Sequence, residues 1–146
     1  VKRMKKFTAL ILAAVCILSL AACSAKPEKE ICIWMHDLKA EDITSALAWS
    51  WDGENDVQNY LTQEETARLV SLLNKLTDDD FAENSEHAGI TEAFGILIEI
   101  DGERYKLNQA DAPLGSLEFG ISGDTAWWID NDELTSFVKS VCEVTD

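Results

Sequence analysis

The sequence predicts an α+β fold in which a mainly antiparallel sheet packs against two helices. Three observations favour this class. Short segments with alternating apolar and polar residues predict strands, a favoured hairpin turn joins two of them, and two segments with an apolar stripe at helical spacing predict helices. The predicted order is β-β-α-β-β-β-β-α. A length of 146 residues without an internal repeat fits a single folded domain.

Two strands are predicted where the folded part begins. Apolar residues occupy every second position over 31–36, which predicts the first strand. A second alternating pattern, over 43–51, separates large side chains on one face from small side chains on the other. The large ones include Leu47, Trp49 and Trp51. Antiparallel pairing of the two strands is the simplest arrangement, and the polar residues 52–60 predict a loop after them.

The first helix is predicted from a capping box. The hydroxyl of Thr62 can accept from the N–H of Glu65, while the Glu65 carboxylate reaches back to the N–H of Thr62. An apolar stripe at helical spacing follows and ends near Leu76. Residues 77–91 are acidic and show no regular pattern, so we expect irregular structure there.

A hairpin is predicted around Asp101 and Gly102, a residue pair that favours the type I′ turn. The turn sets the register, and this register opposes apolar to apolar and acidic to basic side chains. The predicted pairs are Ile96 with Leu107, Ile98 with Tyr105, and Glu99 with Arg104. Two further strands are expected over 117–121 and 125–129. A final helix, capped by Asp130 or Asn131, then presents an apolar stripe to the sheet.

The N-terminal residues predict a signal peptide over 1–22, followed by a tether over 23–30 and the folded domain over 31–146. Residues 1–6 are basic and residues 7–20 are nearly all apolar, but this run is too short to span a bilayer comfortably. The sequence Leu20-Ala21-Ala22-Cys23 resembles the lipobox of bacterial lipoproteins. The resemblance implies cleavage before Cys23, acylation of its thiol, and a mature protein anchored by lipid in the cell membrane on the extracytoplasmic side. The alternative is an ordinary signal peptide with an incidental cysteine.

The folded part is similar to small domains of lipoproteins from Gram-positive gut bacteria. The similarity is carried by the helix start Thr62–Thr66, the hairpin Ile100–Tyr105 and the strand-to-helix segment Trp127–Leu134. These motifs are structural, and the resemblance implies no activity.

The charge balance restricts the class of partner. The chain carries 27 acidic and 12 basic residues, a formal net charge of −15. After residue 22 there remain eight basic and all 27 acidic residues, which makes the mature part −19. Such a surface repels phosphate backbones, so we expect no nucleic-acid partner. A solvated surface explains the acidity most simply, and an acidic accessory or inhibitor domain is the alternative.

Two cysteines remain in the folded domain once Cys16 leaves with the leader and Cys23 takes the lipid. Cys32 and Cys142 lie near opposite ends of the fold, and an extracytoplasmic location permits a disulfide between them. The alternative is a pair of buried thiols that pack as small hydrophobic groups.

The five tryptophans suggest a binding surface. Trp49 and Trp51 share a strand face, whereas Trp127 and Trp128 are adjacent and must point to opposite sides of the sheet. Exposed aromatic side chains can stack on a glycan or anchor a protein partner. The alternative is that most of the tryptophans fill the core.

No catalytic or metal-binding motif stands out. His36 and His87 lie far apart in the sequence, and no signature of a serine hydrolase, zinc protease or nucleotide-binding loop is present. Asp52, Glu54 and Asp56 alternate as in calcium loops but lack the glycine and the terminal glutamate of such loops. We therefore expect a non-catalytic binding or interaction module without cofactor or metal, and an envelope hydrolase is the weakest alternative.

Overall fold

The computed structural model describes residues 28–84, 93–112, 115–121 and 126–143. The predicted α+β class is confirmed: these ranges contain a seven-stranded antiparallel sheet and three helices, one helix more than expected. The predicted signal peptide, Cys23 and His87 lie outside the described residues. In chain order the elements are α1 (Glu30–Asp37), β1 (Ile43–Trp51), β2 (Asp56–Tyr60), α2 (Gln63–Leu73), β3 (Phe81–Asn84), β4 (Phe94–Ile100), β5 (Glu103–Ala112), β6 (Gly115–Ile121), β7 (Ala126–Ile129) and α3 (Asp132–Val141).

The seven strands form one sheet in the order β2-β1-β4-β5-β6-β7-β3. Strands β4 to β7 form a meander, in which each strand pairs with the next along the chain. The β1–β2 hairpin joins one side of this meander through β1, and β3 joins the other side through β7. The β1–β4 and β7–β3 pairings therefore depend on contacts between residues far apart in the sequence.

Cross-strand register assigns each strand residue to one of two sheet faces. On the face that packs against the helices, Ala48, Ile96, Leu107 and Phe119 stand side by side on β1, β4, β5 and β6. All four are buried. The helices supply the other half of the core with Cys32, Met35, Leu69, Leu73, Leu134 and Val138. The small residues of β1 thus face the core, and its large residues face the opposite side of the sheet.

The predicted strand over 31–36 is wrong, because these residues lie in helix α1. Six residues are too few for periodicity to separate a strand from a short buried helix. Cys32 and Met35, one helical turn apart, are both buried, whereas Ile33 is 46% exposed. The expected pairing of this segment with β1 therefore does not exist, and β1 pairs with β2 and β4 instead.

The start of helix α1 is held by Lys29, the residue just before it. The backbone N–H of Lys29 donates to Asp78 Oδ1 at 2.9 Å. Its ammonium group donates to the carbonyl of Asp78 at 2.8 Å and to that of Phe81. Because these partners lie about fifty positions along the chain, no local pattern in the sequence reveals the contact.

Strands β2 and β3 lie in segments that the sequence predicts as irregular. All five residues of β2 are exposed, so the strand carries no apolar alternation that could reveal it. Strand β3 is only four residues long, and Phe81 is its one large apolar side chain; it pairs with Ile129 of β7. Both strands lie at the sheet edges, where backbone pairing with a single neighbour is sufficient to define them.

The capping box and the hairpin are confirmed. The N–H of Glu65 donates to the Thr62 hydroxyl at 3.2 Å, and the Thr62 N–H donates to the Glu65 carboxylate at 2.7 Å. The three predicted cross-strand pairs of the hairpin are all present. Glu99 and Arg104 form an exposed ion pair at 3.8 Å, which is worth well under about 1 kcal/mol, so the apolar pairs dominate the register.

Asp80 joins the segment before β3 to the start of helix α3. Its carboxylate accepts from the Asn131 side chain at 3.0 Å and from the Thr77 N–H at 2.7 Å. Asn131, one of the two predicted caps, accepts from the Leu134 N–H at 3.0 Å. Partial burial acts to raise the pKa of Asp80, but the hydrogen bonds from Asn131 and Thr77 outweigh it and the pKa is lowered.

Replacing Asp80 with Asn should lower the free energy of unfolding at neutral pH by about 1 kcal/mol, the scale of a hydrogen bond to a partly exposed charge. Because the folded pKa lies below the unfolded value of about 3.9, the carboxylate stabilises the fold above that value, and this contribution is lost as the pH falls through the folded pKa. Urea unfolding of both proteins between about pH 7 and about pH 3 should show their difference shrink.

The control for this experiment is Asp79→Asn, which changes an exposed carboxylate in the same turn. It should unfold close to the wild type at each pH. A difference between Asp80→Asn and the wild type that stays constant across the pH range would contradict the assigned role of the charge.

Candidate functional site

The sheet face opposite the helices, here called the open face, is the first candidate site. Register places Leu47 and Trp49 of β1 beside Leu97 and Gly95 of β4 on this face. Lys106 and Asn108 of β5 continue the same two rows. On the outer side the rows end at Tyr60 and Gln58 of β2. Within the described residues the three helices pack on the other face, so this row of large apolar side chains has no helix over it.

The open face contains two adjacent shallow grooves. One is about 210 Å³ and is lined by Leu47, Trp49, Gln58, Leu97, Lys106 and Asn108. The other is about 220 Å³ and is lined by Ser45, Leu47, Tyr60, Leu97, Glu99 and Arg104. Leu47 and Leu97 belong to both and form an apolar centre with a polar and charged rim. Such a shape suits a surface contact better than an enclosed small-molecule pocket.

Gly95 allows β5 to approach closely at the floor of the first groove. A Cβ atom at this position would lie 2.9 Å from the Cα of Asn108, its cross-strand partner. Asn108 is only 3% exposed, so its side chain lies over the glycine and adds a polar group to the floor. The glycine therefore serves packing between strands, since no turn occurs there.

The four tryptophans that the sequence proposes as one aromatic surface occupy different places. Trp49 and Trp51 lie together on the open face, and Trp51 is 44% exposed. Trp128 is in the same cross-strand row as Trp49 but four strands away, roughly 19 Å at the usual strand spacing. Trp127 points to the helix side. There its ring and the ring of Phe81 form a T-shaped pair with centroids 6.3 Å apart. The surface thus reduces to Trp49 and Trp51.

The fifth tryptophan contributes to packing on the helix side. The ring centroid of Trp34 of α1 lies 5.2 Å from that of Tyr105 and 5.8 Å from that of Phe119. Tyr105 and Phe119 are themselves stacked at 5.6 Å. This aromatic cluster fixes helix α1 on the middle of the sheet, and it is a core feature.

A second candidate site lies on helix α1. Cys32 and His36 lie four residues apart on one side of the helix, and Glu28, two residues before the helix begins, contacts His36 on that side. Cys32 Sγ is 3.6 Å from His36 Nε2, and His36 Nδ1 is 3.3 Å from Glu28 Oε1. One ligand atom from each residue lies within 4.8 Å of the others. The predicted strand over 31–36 would separate these side chains. The four-residue spacing between Cys32 and His36 is the feature of the sequence that indicates the cluster, provided that the segment is helical.

The order of carboxylate, imidazole and thiol in this cluster is the one that cysteine nucleophiles use. Here the thiol is not activated. Burial, together with the hydrogen bond and negative charge of Glu28, raises the pKa of Cys32 to about 11, so the reactive thiolate is scarce near neutral pH. His36 Nε2 lies 2.8 Å from the carbonyl of Leu76 and donates to it instead of accepting a proton from the thiol. The cluster therefore holds no activated nucleophile.

The disulfide considered for Cys32 and Cys142 is not formed. Both are free, buried thiols. Cys32 donates to the carbonyl of Leu76 at 3.3 Å, and Cys142 donates to the carbonyl of Gly95 at 3.2 Å. The two sulfur atoms therefore have separate acceptors on different elements, and each packs as a small hydrophobic group in the core.

The acidic loop after β1 uses its first carboxylate for the turn itself. Asp52 Oδ1 accepts from the N–H groups of Asn55 and Glu54 at 2.7 and 2.8 Å. These hydrogen bonds, that from Asn55 foremost, lower the pKa of Asp52. The Asp52 carboxylate thus closes an Asx turn.

No family model, no curated protein and no solved structure matches this chain. Among the residues that the structure describes, no helix combines the length and the apolar character needed to cross a membrane.

Ellman's reagent should count the two thiols directly. In the chain without residues 1–23, only Cys32 and Cys142 remain, and both should react upon unfolding in guanidinium without any reductant. In the native protein the reaction should be slow, because both sulfur atoms are buried. Thiols that become reactive only after reduction would show that a disulfide exists.

Proposed function

We propose that this protein is a lipid-anchored, extracytoplasmic, non-catalytic module that binds a protein partner through its open face. The observation that carries the proposal is the orientation of β1. Its alanines face the helices, whereas Leu47, Trp49 and Trp51 face away from them. Packing against the helices sets which residues of β1 face inward, but it does not require large apolar residues on the outward face, so their presence there suggests that this area is used in binding.

The composition of the open face suits a protein partner. Trp51 and Tyr60 are 44% and 72% exposed, and tryptophan and tyrosine are the residue types that most often dominate the energetics of protein interfaces. Leu47 and Leu97 supply a partly buried apolar centre between them. Arg104 and Glu99 stand at the rim, where exposed charges confer specificity more than affinity.

A glycan is the second ligand class for exposed tryptophans. Stacking of a sugar ring needs a flat aromatic surface with polar groups around it. Gln58 and Asn108 provide such groups beside Trp49, but the groove centre is formed by two leucines, which do not stack. The apolar centre therefore favours a protein partner.

Substitutions of three exposed side chains can test whether the open face binds the partner. The double variant Trp51→Ala, Tyr60→Ala removes the two most exposed aromatic groups, and Ile33→Ala removes an equally exposed group, 46%, from helix α1. With residues 24–146 immobilised as bait, one envelope protein should be captured by the wild type and by Ile33→Ala. The double variant should lose about tenfold or more in affinity for it, as expected when interface anchors are removed.

The outcomes of this capture separate the proposals. Equal capture by all three proteins would contradict the open face as the binding surface. Capture that survives protease treatment of the envelope but not digestion of its polysaccharide would assign the face to a glycan. Capture that falls steeply with added salt in every variant would favour the acidic accessory or inhibitor reading, because an apolar contact depends little on salt.

The anchor is proposed from the lipobox alone. Five residue steps separate Cys23 from Glu28, which allows about 18 Å of extended chain. A diacylated or triacylated cysteine would therefore hold the domain close to the bilayer surface, where its partner must also be accessible.

Lipidation should depend on Cys23 and on no other leader cysteine. In a bacterium with the lipoprotein pathway, the wild type and Cys16→Ser should incorporate radiolabelled palmitate and partition into the detergent phase of Triton X-114. Cys23→Ser should lose both properties, because it lacks the thiol that is acylated. Labelling that persists in Cys23→Ser, or a wild-type protein that is released unlabelled, would identify an ordinary signal peptide.

A further inference from the structure

The Glu-Cys-His cluster combines three ligand types at the start of helix α1. Cys32 and His36 are one helical turn apart, and the carboxylate of Glu28, which precedes the helix, lies 3.3 Å from His36. Thiolate sulfur, imidazole nitrogen and carboxylate oxygen are the three donor types that zinc uses in proteins. None of these side chains belongs to the open face, so the cluster is independent of the binding surface proposed above.

The spacing of the donor atoms fits a small cation. Ligand atoms on a tetrahedral zinc ion are about 3.3–3.6 Å apart, given the usual zinc–ligand bond lengths. Cys32 Sγ and His36 Nε2 are already 3.6 Å apart. The three ligand atoms lie within 4.8 Å of one another, and small side-chain rotations of Glu28 and His36, which are 45% and 39% exposed, can close the remaining gap.

The surroundings of the cluster are electron-rich. Both ring nitrogens of His36 face acceptors, since Nε2 lies 2.8 Å from the Leu76 carbonyl and Nδ1 lies 3.3 Å from the Glu28 carboxylate. Asp78 and Asp80 add negative charge that acts on Cys32. The ammonium group of Lys29, the residue just before the helix, donates to the carbonyls of Asp78 and Phe81. A divalent cation would balance this charge.

We propose that Glu28, Cys32 and His36 form a zinc-binding site at the membrane-proximal start of the folded domain. Binding converts the Cys32 thiol to a thiolate and releases its proton to solvent. The imidazole of His36 gives up its hydrogen bond to the Leu76 carbonyl and carries its proton on Nδ1, beside Glu28, so that Nε2 donates its lone pair to the ion. One carboxylate oxygen of Glu28 completes the protein ligands. Both His36 and Glu28 are partly exposed, so the fourth position is open to water, as in zinc sites with three protein ligands.

Cobalt(II) provides a direct probe, because coordination by a thiolate gives a charge-transfer absorption band in the near ultraviolet. The experiment uses the full chain in mild detergent with Cys16→Ser and Cys23→Ser as background, so that Cys32 and Cys142 are the only thiols. This protein should bind one cobalt ion with the charge-transfer band, and one equivalent of zinc should remove the band.

Variants identify the ligands. Cys32→Ser should lose the charge-transfer band, whereas Cys142→Ser, the matched control, should keep it, because that thiol lies in the core and donates to Gly95. Glu28→Gln and His36→Gln change side chains that are partly exposed, so both proteins should fold. Their zinc affinity, measured by competition with a chromophoric chelator, should fall at least about tenfold, the scale of losing one ligand interaction.

Three results would overturn the proposal. The first is a cobalt complex without the charge-transfer band, which indicates binding by surface carboxylates alone. The second is a band that disappears in Cys142→Ser and persists in Cys32→Ser. The third is a zinc affinity that is unchanged in both Glu28→Gln and His36→Gln. Far-ultraviolet circular dichroism of each variant confirms that the comparison is made between folded proteins, and none of these results bears on the open face.

Discussion

The packing of three helices against a single face of the sheet is the constraint from which the other features follow. On that face, Ala48, Ile96, Leu107 and Phe119 form a row of buried side chains across four strands. Because strand residues alternate between faces, the choice of this row for the core also determines what the other face displays. Leu47, Trp49 and Leu97 are placed on the open face by the same register that buries their neighbours.

Small residues on β1 make this choice favourable. Alanine at positions 46 and 48 lets the helices approach the sheet closely, and the isoleucines of β4 beside them fill the space. The reverse orientation would place three large β1 side chains under the helices and overfill the core, which commonly costs about 1–3 kcal/mol per strained site. The orientation of β1 therefore follows from a packing requirement on the helix side, and the large residues at its outward positions give the open face its apolar character.

Helix α1 connects the first described residues with the core. Met35 and Cys32 insert into the core, Trp34 stacks with Tyr105 and Phe119, and the hydrogen bonds of Lys29 hold the helix start to the segment before β3. The exposed side of the same helix carries Glu28 and His36. One short helix thus fixes the first described residues to the sheet and presents the proposed zinc ligands Glu28 and His36 to solvent.

By itself the sequence determined the features that depend on neighbouring residues: the α+β class, the capping box at Thr62, the Asn131 cap and the hairpin register around Asp101 and Gly102. The tertiary structure alone decided the features that depend on distant contacts. Helix α1 replaced the expected strand because partners about fifty positions away hold its start, and β3 formed because β7 offered it a backbone edge. The candidate sites divide in the same way. Alternation put Trp49 and Trp51 on one face, but only core packing decided that this face is open, and only the helical conformation of α1 brought Glu28, Cys32 and His36 together.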